Sequence, residues 1–208
     1  MGNDHSPCCA MTSSSQAADL SPAQLALLDT TERLVYAGGI HATGVDAIVK
    51  ESGVVRKTLY RHYPNKEALV EAALLRRDER WMQWFIAATS TRDDPVERLQ
   101  SCFDALRAWF ASEGFHGCAF LNAAGEIGDP ANSIRRVSQW HKLRLRDYLR
   151  ELTAASGLPE PDSLADELLV LIDGAISVAL VFGGTEAADT AARVACRLLA
   201  APQPKPKL

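Results

Sequence analysis

Between Arg56 and Lys66 the chain reads RKTLYRHYPNK, with four fixed positive charges, one histidine and no carboxylate. The full 208 residues carry a net charge of −4, so this run is a local reversal of sign. Guanidinium and ammonium groups on one short element reach guanine edges or phosphates of a DNA duplex, and threonine and tyrosine hydroxyls reach either. On that chemistry Arg56, Lys57, Thr58, Tyr60, Arg61, His62 and Lys66 are candidate DNA contacts. Leu59 and Tyr63, four apart, share a different face and belong to a core. The plainer alternative is a solvated helical hairpin whose charges only keep it in water.

The flanking residues predict the elements that would present this set. Thr43 reads as a helix N-cap, with Asp46 three residues on in capping-box position. Val45, Ile48 and Val49 give that helix an apolar face up to about Ser52, and Gly53 suits a tight turn. A second helix runs from Val55 or Arg56 to His62, where Pro64 stops it and Asn65 caps the next. Two short helices across a glycine turn make a helix-turn-helix, whose second helix lies in the major groove. A supporting helix comes before them. It opens on the capping box Ser21-Pro22-Ala23-Gln24 and carries Leu27, Leu28, Thr31, Leu34 and Val35 inward. It ends at Gly38-Gly39, with Ile40 beneath.

The stretch LLDTTERLVYAGGIHATGVDAIVKESGVVRKTLYRHYPNKEALV, from Leu27 to Val70, resembles the N-terminal DNA-binding domain of the tetracycline-repressor-like (TetR/AcrR) family of bacterial regulators. The resemblance implies that Thr43 caps a helix that touches phosphate and that Arg56, Lys57 and Thr58 face the groove. It further implies that Tyr60 and His62 contact the DNA backbone and Lys66 a phosphate. Val55, Val49 and Ser52 depart from the family's usual residues, and none of the three is a contact position. A homodimeric repressor on a palindromic double-stranded operator, released by a small-molecule effector, is the function that the family implies.

Leucine and alanine dominate, and strand-like alternation is scarce, so an all-α protein is expected: an N-terminal three-helix helix-turn-helix domain and a C-terminal helical ligand-binding and dimerisation domain. The expected boundaries are a disordered tail at 1–20, the DNA-binding domain at 21–66, the second domain at 67–201 and a tail at 202–208. A continuous helix over 66–89 would join the two parts. Helices are expected from Pro95 to Ser112, within GCAFLNAAGEIGDP with a break at Gly125, and from Ala131 to Ala155. Two more follow, from a cap at Asp162 or Ser163 to Phe182, and from Glu186 to about Ala201. Apolar stripes on the last two exceed what one chain covers, which predicts a homodimer through a four-helix bundle. Trp84, Phe103, Trp109, Phe110, Phe120 and Trp140 supply more aromatic surface than a bundle of this size needs. They predict an apolar pocket, with Asn122, His141, Arg144 and Asp173 to orient its ligand. Taken singly, each of these is as readily a core or rim residue.

Other classes are bounded by what the sequence lacks. Five cysteines without metal-like spacing argue against a disulfide framework and favour a reducing cytoplasm. His5, Cys8 and Cys9 are too few for structural zinc, and no motif calls for a cofactor. No run reaches the ~20 apolar residues of a membrane span, so no membrane partner is expected. MGNDHS matches a myristoylation pattern by chance, given the bacterial resemblance. An enzyme would need Cys118 as nucleophile with His116 or His141 as base, without a recognised catalytic motif. A thiol-based redox regulator would use Cys118 or Cys102.

Overall fold

The computed structural model describes residues 20–200, so both expected tails and the His5, Cys8 and Cys9 group lie outside the described residues. Among the described residues there are helices and no strands. They are α1 (Pro22–Gly38), α2 (Val45–Ser52), α3 (Arg56–His62), α4 (Lys66–Thr89), α5 (Pro95–Phe110), α6 (Ala119–Glu126), α7 (Ser133–Ala155), α8 (Pro161–Phe182) and α9 (Glu186–Ala200).

Local chemistry accounts for most of the boundaries. The Ser21 side chain accepts from the Gln24 amide, and the Gln24 side chain answers to the Ser21 amide, so the expected capping box starts α1. Asn65 caps α4 by accepting from the Ala68 amide at 2.8 Å, and Asp94 caps α5 the same way through Glu97. Gly53 takes φ 68°, a left-handed conformation that costs glycine nothing, and turns the chain from α2 into α3.

Three expectations about boundaries are corrected. Thr43 is not an N-cap: Gly44 holds that position, and the Thr43 hydroxyl instead donates to the Gly39 carbonyl at 2.7 Å. Gly125 does not break α6, which runs on to Glu126. The start of α8 is set by Pro161 at its first turn, after Glu160 in a left-handed conformation, and not by a cap at Asp162 or Ser163.

Two clusters of buried apolar side chains organise the molecule. The smaller gathers Leu27 and Leu28 of α1, Ile48 of α2, Leu59 of α3 with Tyr63, and Leu69 and Ala73 of α4. The larger is built from α4 to α9 and is centred on Phe85, Phe103, Leu106, Ile134, Leu145 and Leu149. Consecutive residues of α4 serve different clusters, Leu69 and Ala73 the smaller, Val70 and Leu74 the larger. On α8 the inner face is Leu164, Ala165, Leu168, Ile172, Ala175, Ile176 and Ala179. The sequence reads two stripes on this helix, Leu164, Leu168, Leu171, Ala175 and Phe182, and Leu169, Ile172, Ile176 and Leu180; their N-terminal parts merge into that face, whereas Leu180 and Phe182 stay outside it. What stays uncovered joins these two to residues outside both stripes, with Val170, Val178, Leu180, Val181 and Phe182 exposed.

Candidate functional site

The smaller cluster fixes α3 by its inner face alone. Leu59 is fully buried and Tyr63 nearly so, which leaves Arg56, Lys57, Tyr60 and Arg61 exposed on the outside. Thr58 and His62 are half-buried. Arg56 is ion-paired with Asp46 of α2 across the turn, and both side chains are largely in solvent. Such a pair contributes little in water and costs little to exchange for a phosphate or a base edge. Val55 leaves α3 without a side-chain cap. His62 Nε2 is buried and has no hydrogen-bond partner among the described residues.

The two remaining residues of the predicted set sit differently. The Thr43 side chain is buried. Lys66 donates from Nζ to the carbonyl oxygens of Ile40 at 2.8 Å and Thr43 at 3.1 Å, so its ammonium holds the α1–α2 connection against α4.

That connection is also held from the other side, by α6. The Glu126 carboxylate accepts from the Ile40 amide at 2.8 Å through Oε1 and from the His41 amide at 2.9 Å through Oε2. The Glu126 carbonyl lies 3.1 Å from His41 Nε2. A Cβ added to Gly39 would stand 2.9 Å from Glu126 Oε1, and Gly39 has φ 90°, so both space and backbone call for glycine there. The other end of α6 is tied to α1 itself. The Tyr36 hydroxyl donates to the Gly117 carbonyl at 2.9 Å and accepts from the His116 amide at 3.0 Å, under the Arg77 guanidinium.

The predicted ligand residues do not form one set. Phe103, Phe110 and Phe120 are buried in the larger cluster, and Trp84 is partly exposed at its edge. Trp81 stacks on Phe85 at 4.8 Å and meets Trp109 at 5.7 Å. Trp140 is half-buried and outside this aromatic group. Asn122 donates to the His116 carbonyl at 2.8 Å, and Asp173 is paired with Lys142 at 2.6 Å. His141 and Arg144 do converge, on Asp78, at 2.7 Å from His141 Nδ1 and 2.6 Å from an Arg144 nitrogen. Asp78 and His141 are each only 1 % exposed.

A cleft opens beside this pair, bounded by Trp81, Trp109, Cys118, Phe120, His141 and Lys142. Its cavity volume is about 10 Å³, room for no more than a water molecule. Ligand pockets run to roughly 300–1,000 Å³, so an occupant of drug size would have to part the rings. Phe120 lies flat on the His141 ring at 3.8 Å, and Trp81 meets it edge-on at 5.0 Å. Burial alone would push the Cys118 thiol up. The hydrogen bond to His141 and the charges of Lys142 and His141 outweigh it and bring the thiol down to about 7. Burial pushes the Cys102 thiol up to about 12.

Sequence reasoning missed Asp78, Tyr36 and Glu126 as site residues. Asp78 sits in the run RRDER, which reads as solvated charge. Glu126 did leave a signal, since an acid in the last turn of a helix opposes the macrodipole unless something outside the helix holds it.

An all-helical chain whose N-terminal helix-turn-helix presents a basic, carboxylate-free helix, set on a larger helical domain, is a DNA-binding regulator. Residues 27–73 match the family profile described as bacterial regulatory proteins, tetR family. The chain is 37 % identical over 161 residues to the uncharacterized HTH-type transcriptional regulator YxaF of Bacillus subtilis, covering 74 % of this chain and 83 % of the relative. It is 28 % identical over 158 residues to the HTH-type transcriptional repressor ComR of Escherichia coli, covering 72 % and 75 % of the two chains. The crystal structure of SCO4454, a TetR-family transcriptional regulator from Streptomyces coelicolor, superposes with a TM-score of 0.81 at 32 % identity, over 86 % of this chain and 94 % of that one. The protein belongs to the TetR family of transcriptional regulators, which bind DNA and are not enzymes. No helix among the described residues is long and apolar enough to cross a membrane. The redox-switch alternative finds no support in these relatives.

Proposed function

We propose that the protein is a homodimeric repressor that occupies a palindromic operator in the bacterial cytoplasm and leaves it when a small apolar or aromatic molecule enters the α4–α7 cleft. The observation that carries this reading is the attachment of α6 at both of its ends. Phe120 and the Cys118 cap form a wall of the cleft, while Tyr36 and Glu126 tie the same short helix to α1 and to the backbone leading into α2. An occupant that parts the rings displaces α6, and α6 carries the helix-turn-helix with it.

In this reading Arg56, Lys57, Thr58, Tyr60, Arg61 and His62 face the DNA, and Thr43 and Lys66 act by fixing the loop before α2. The uncovered α8 face, Val170, Val178, Val181 and Phe182, meets its copy and sets two recognition helices about 34–36 Å apart. The effector releases DNA only if it prefers the released form, and ~10²-fold preference corresponds to about 2.7 kcal/mol of coupling. The test selects an operator from random duplexes and follows its affinity by anisotropy against a panel of hydrophobic compounds. A half-site repeat in the selected duplexes and release by at least one compound are expected. A monomeric, non-palindromic footprint, or compounds that stabilise the protein without moving its DNA affinity, would overturn the reading.

A further inference from the structure

The last turn of α8 reaches the connection between α5 and α6. A Cβ added to Gly117 would stand 2.8 Å from Leu180 Cδ2 and 3.4 Å from Leu180 Cδ1, so the Leu180 side chain lies directly on the glycine. Gly117 also has φ 76°, a conformation in which a larger residue is strained. One turn earlier on α8, Ile176 borders the same cleft as Cys118 and Ala119, so α8 meets the start of α6 along more than one residue. The loop that Leu180 covers is gripped from two further sides. The Tyr36 hydroxyl of α1 donates to the Gly117 carbonyl at 2.9 Å and accepts from the His116 amide at 3.0 Å. Asn122 of α6 donates to the His116 carbonyl at 2.8 Å. Three consecutive peptide groups are thus pinned between α1 and α6, with α8 against the glycine among them.

The outer side of that α8 turn is in water. Leu180 is 45 % exposed, and its neighbours Val181 and Phe182 are 73 % and 83 % exposed. Gly183 and Gly184, both at positive φ, end the helix immediately after them. A helix end with its apolar side chains in solvent and two glycines behind it opens at little cost. A body that covers Val181 and Phe182 removes that freedom and holds Leu180 in place. We propose that Leu180 is a positioning residue for DNA recognition: once a second copy of the chain covers the α8 face, Leu180 is seated on Gly117 and, through the Tyr36 hydroxyl, sets α1 and the helix-turn-helix packed on it. The proposal rests on the reading of the α8 face as the dimer contact and adds what that contact does to DNA binding. Tyr36 lies in the last turn of α1, three residues before Gly39, whose carbonyl takes the Thr43 hydroxyl at the entry to α2. The Arg77 guanidinium sits 3.7 Å over the Tyr36 ring, so α4 shares the anchor. Leu27 and Leu28 of α1 share the smaller core with Leu59 of α3, which carries the displacement of α1 to the recognition helix.

The test uses the full chain, the duplex selected for it from random sequence, and the variants Leu180→Ala, Tyr36→Phe and their combination. All three should remain dimers by light scattering, because the exposed Val170, Val178, Val181 and Phe182 are untouched. Each single change should weaken duplex binding by roughly tenfold, and the double variant should bind no worse than the weaker single one, since both cut the same path. Leu180→Met, which can still cover Gly117, should keep the affinity of the unaltered protein. Hydrogen exchange gives a readout that needs neither DNA nor a change at Leu180: the His116 amide should exchange faster in a Val181→Glu monomer than in the unaltered dimer. Leu180→Ala binding as tightly as the unaltered chain, losses that multiply in the double variant, or a His116 amide equally protected in the monomer would each overturn the proposal. A Leu180→Ala protein that becomes monomeric makes Leu180 part of the interface and overturns the positioning role. An unaltered chain that is monomeric, or a Val181→Glu protein that stays dimeric, defeats the dimer reading and this proposal with it. A dimer whose DNA affinity ignores Leu180 defeats this proposal alone.

Discussion

Removing the Glu126 carboxylate should loosen the DNA-reading half from a distance. Its two oxygens accept from consecutive backbone amides, Ile40 and His41, in the loop that leads into α2. Hydrogen bonds to a charged acceptor are worth about 1.5–3 kcal/mol each where water is excluded. Glu126 is only half-buried, so water recovers part of that on truncation, and Glu126→Ala should cost about 2 kcal/mol in all. For a chain of this size that is a fall of roughly 4–8 °C in the melting midpoint. Glu126→Gln retains one acceptor and turns its amide towards the other N–H, so it should cost about half as much. Thermal unfolding read by circular dichroism, with hydrogen exchange at the Ile40 and His41 amides, measures both effects. Operator affinity should fall alongside, because the loop must then be ordered on binding. A Glu126→Ala protein that melts within a degree of the unaltered one, with those two amides still protected, would refute the reasoning. So would a Gly39→Ala protein of full stability, since its new methyl has no room beside Oε1.

Arg61→Ala or Lys57→Ala should weaken operator binding and lower the salt slope by about one unit for each phosphate no longer neutralised, as read by anisotropy between low and moderate salt. Val181→Glu, on the exposed α8 face, should leave a folded monomer by light scattering, and an unchanged dimer mass would count against that interface. Asp78→Ala leaves Arg144 and His141 without their buried acceptor and should destabilise by about 3–5 kcal/mol in urea unfolding. Cys102 is held protonated in the fold up to about 12, whereas an unfolded cysteine ionises near ~8.5. Its contribution is therefore intact below the unfolded value and is lost as pH rises above it, by up to about 1.4 kcal/mol per pH unit. Cys102→Val should flatten that part of the stability profile.

The residues that fold by neighbourhood were legible in advance, and those that act across the chain were not. Ser21 with Gln24, Gly53, Asn65 and the Leu59–Tyr63 pair announce themselves within a few positions, so the helix-turn-helix and the full span of α4 could be read directly. Thr43 misled because a threonine before an apolar run looks like a cap, while the actual partner of its hydroxyl is the carbonyl of Gly39, behind it in the chain. On the far side of the molecule, Trp140 and Asp173 looked as suited to a pocket as His141 did. Only the packing of α7 on α4 decides that His141 meets Asp78, 63 positions away, and that Trp140 does not join it. The excess of apolar surface on α8 was visible, yet its uncovered side was not, because the merging of two stripes into one inner face depends on where α7 and α9 lie.

The way α4 is shared bears on how the molecule can be recombined. Leu69 and Ala73 complete the small core, and Val70 and Leu74, their immediate neighbours, belong to the large one. A hybrid regulator spliced at Lys66, just after the helix-turn-helix, would take its α1–α3 from one parent and the floor of their core from the other. Moving the splice just past Ala73 restores that floor but imports a foreign Val70 into the larger core. No junction in this helix separates the halves cleanly. A working chimera therefore needs Leu69 with Ala73 and Val70 with Leu74 transplanted together with the two cores they complete.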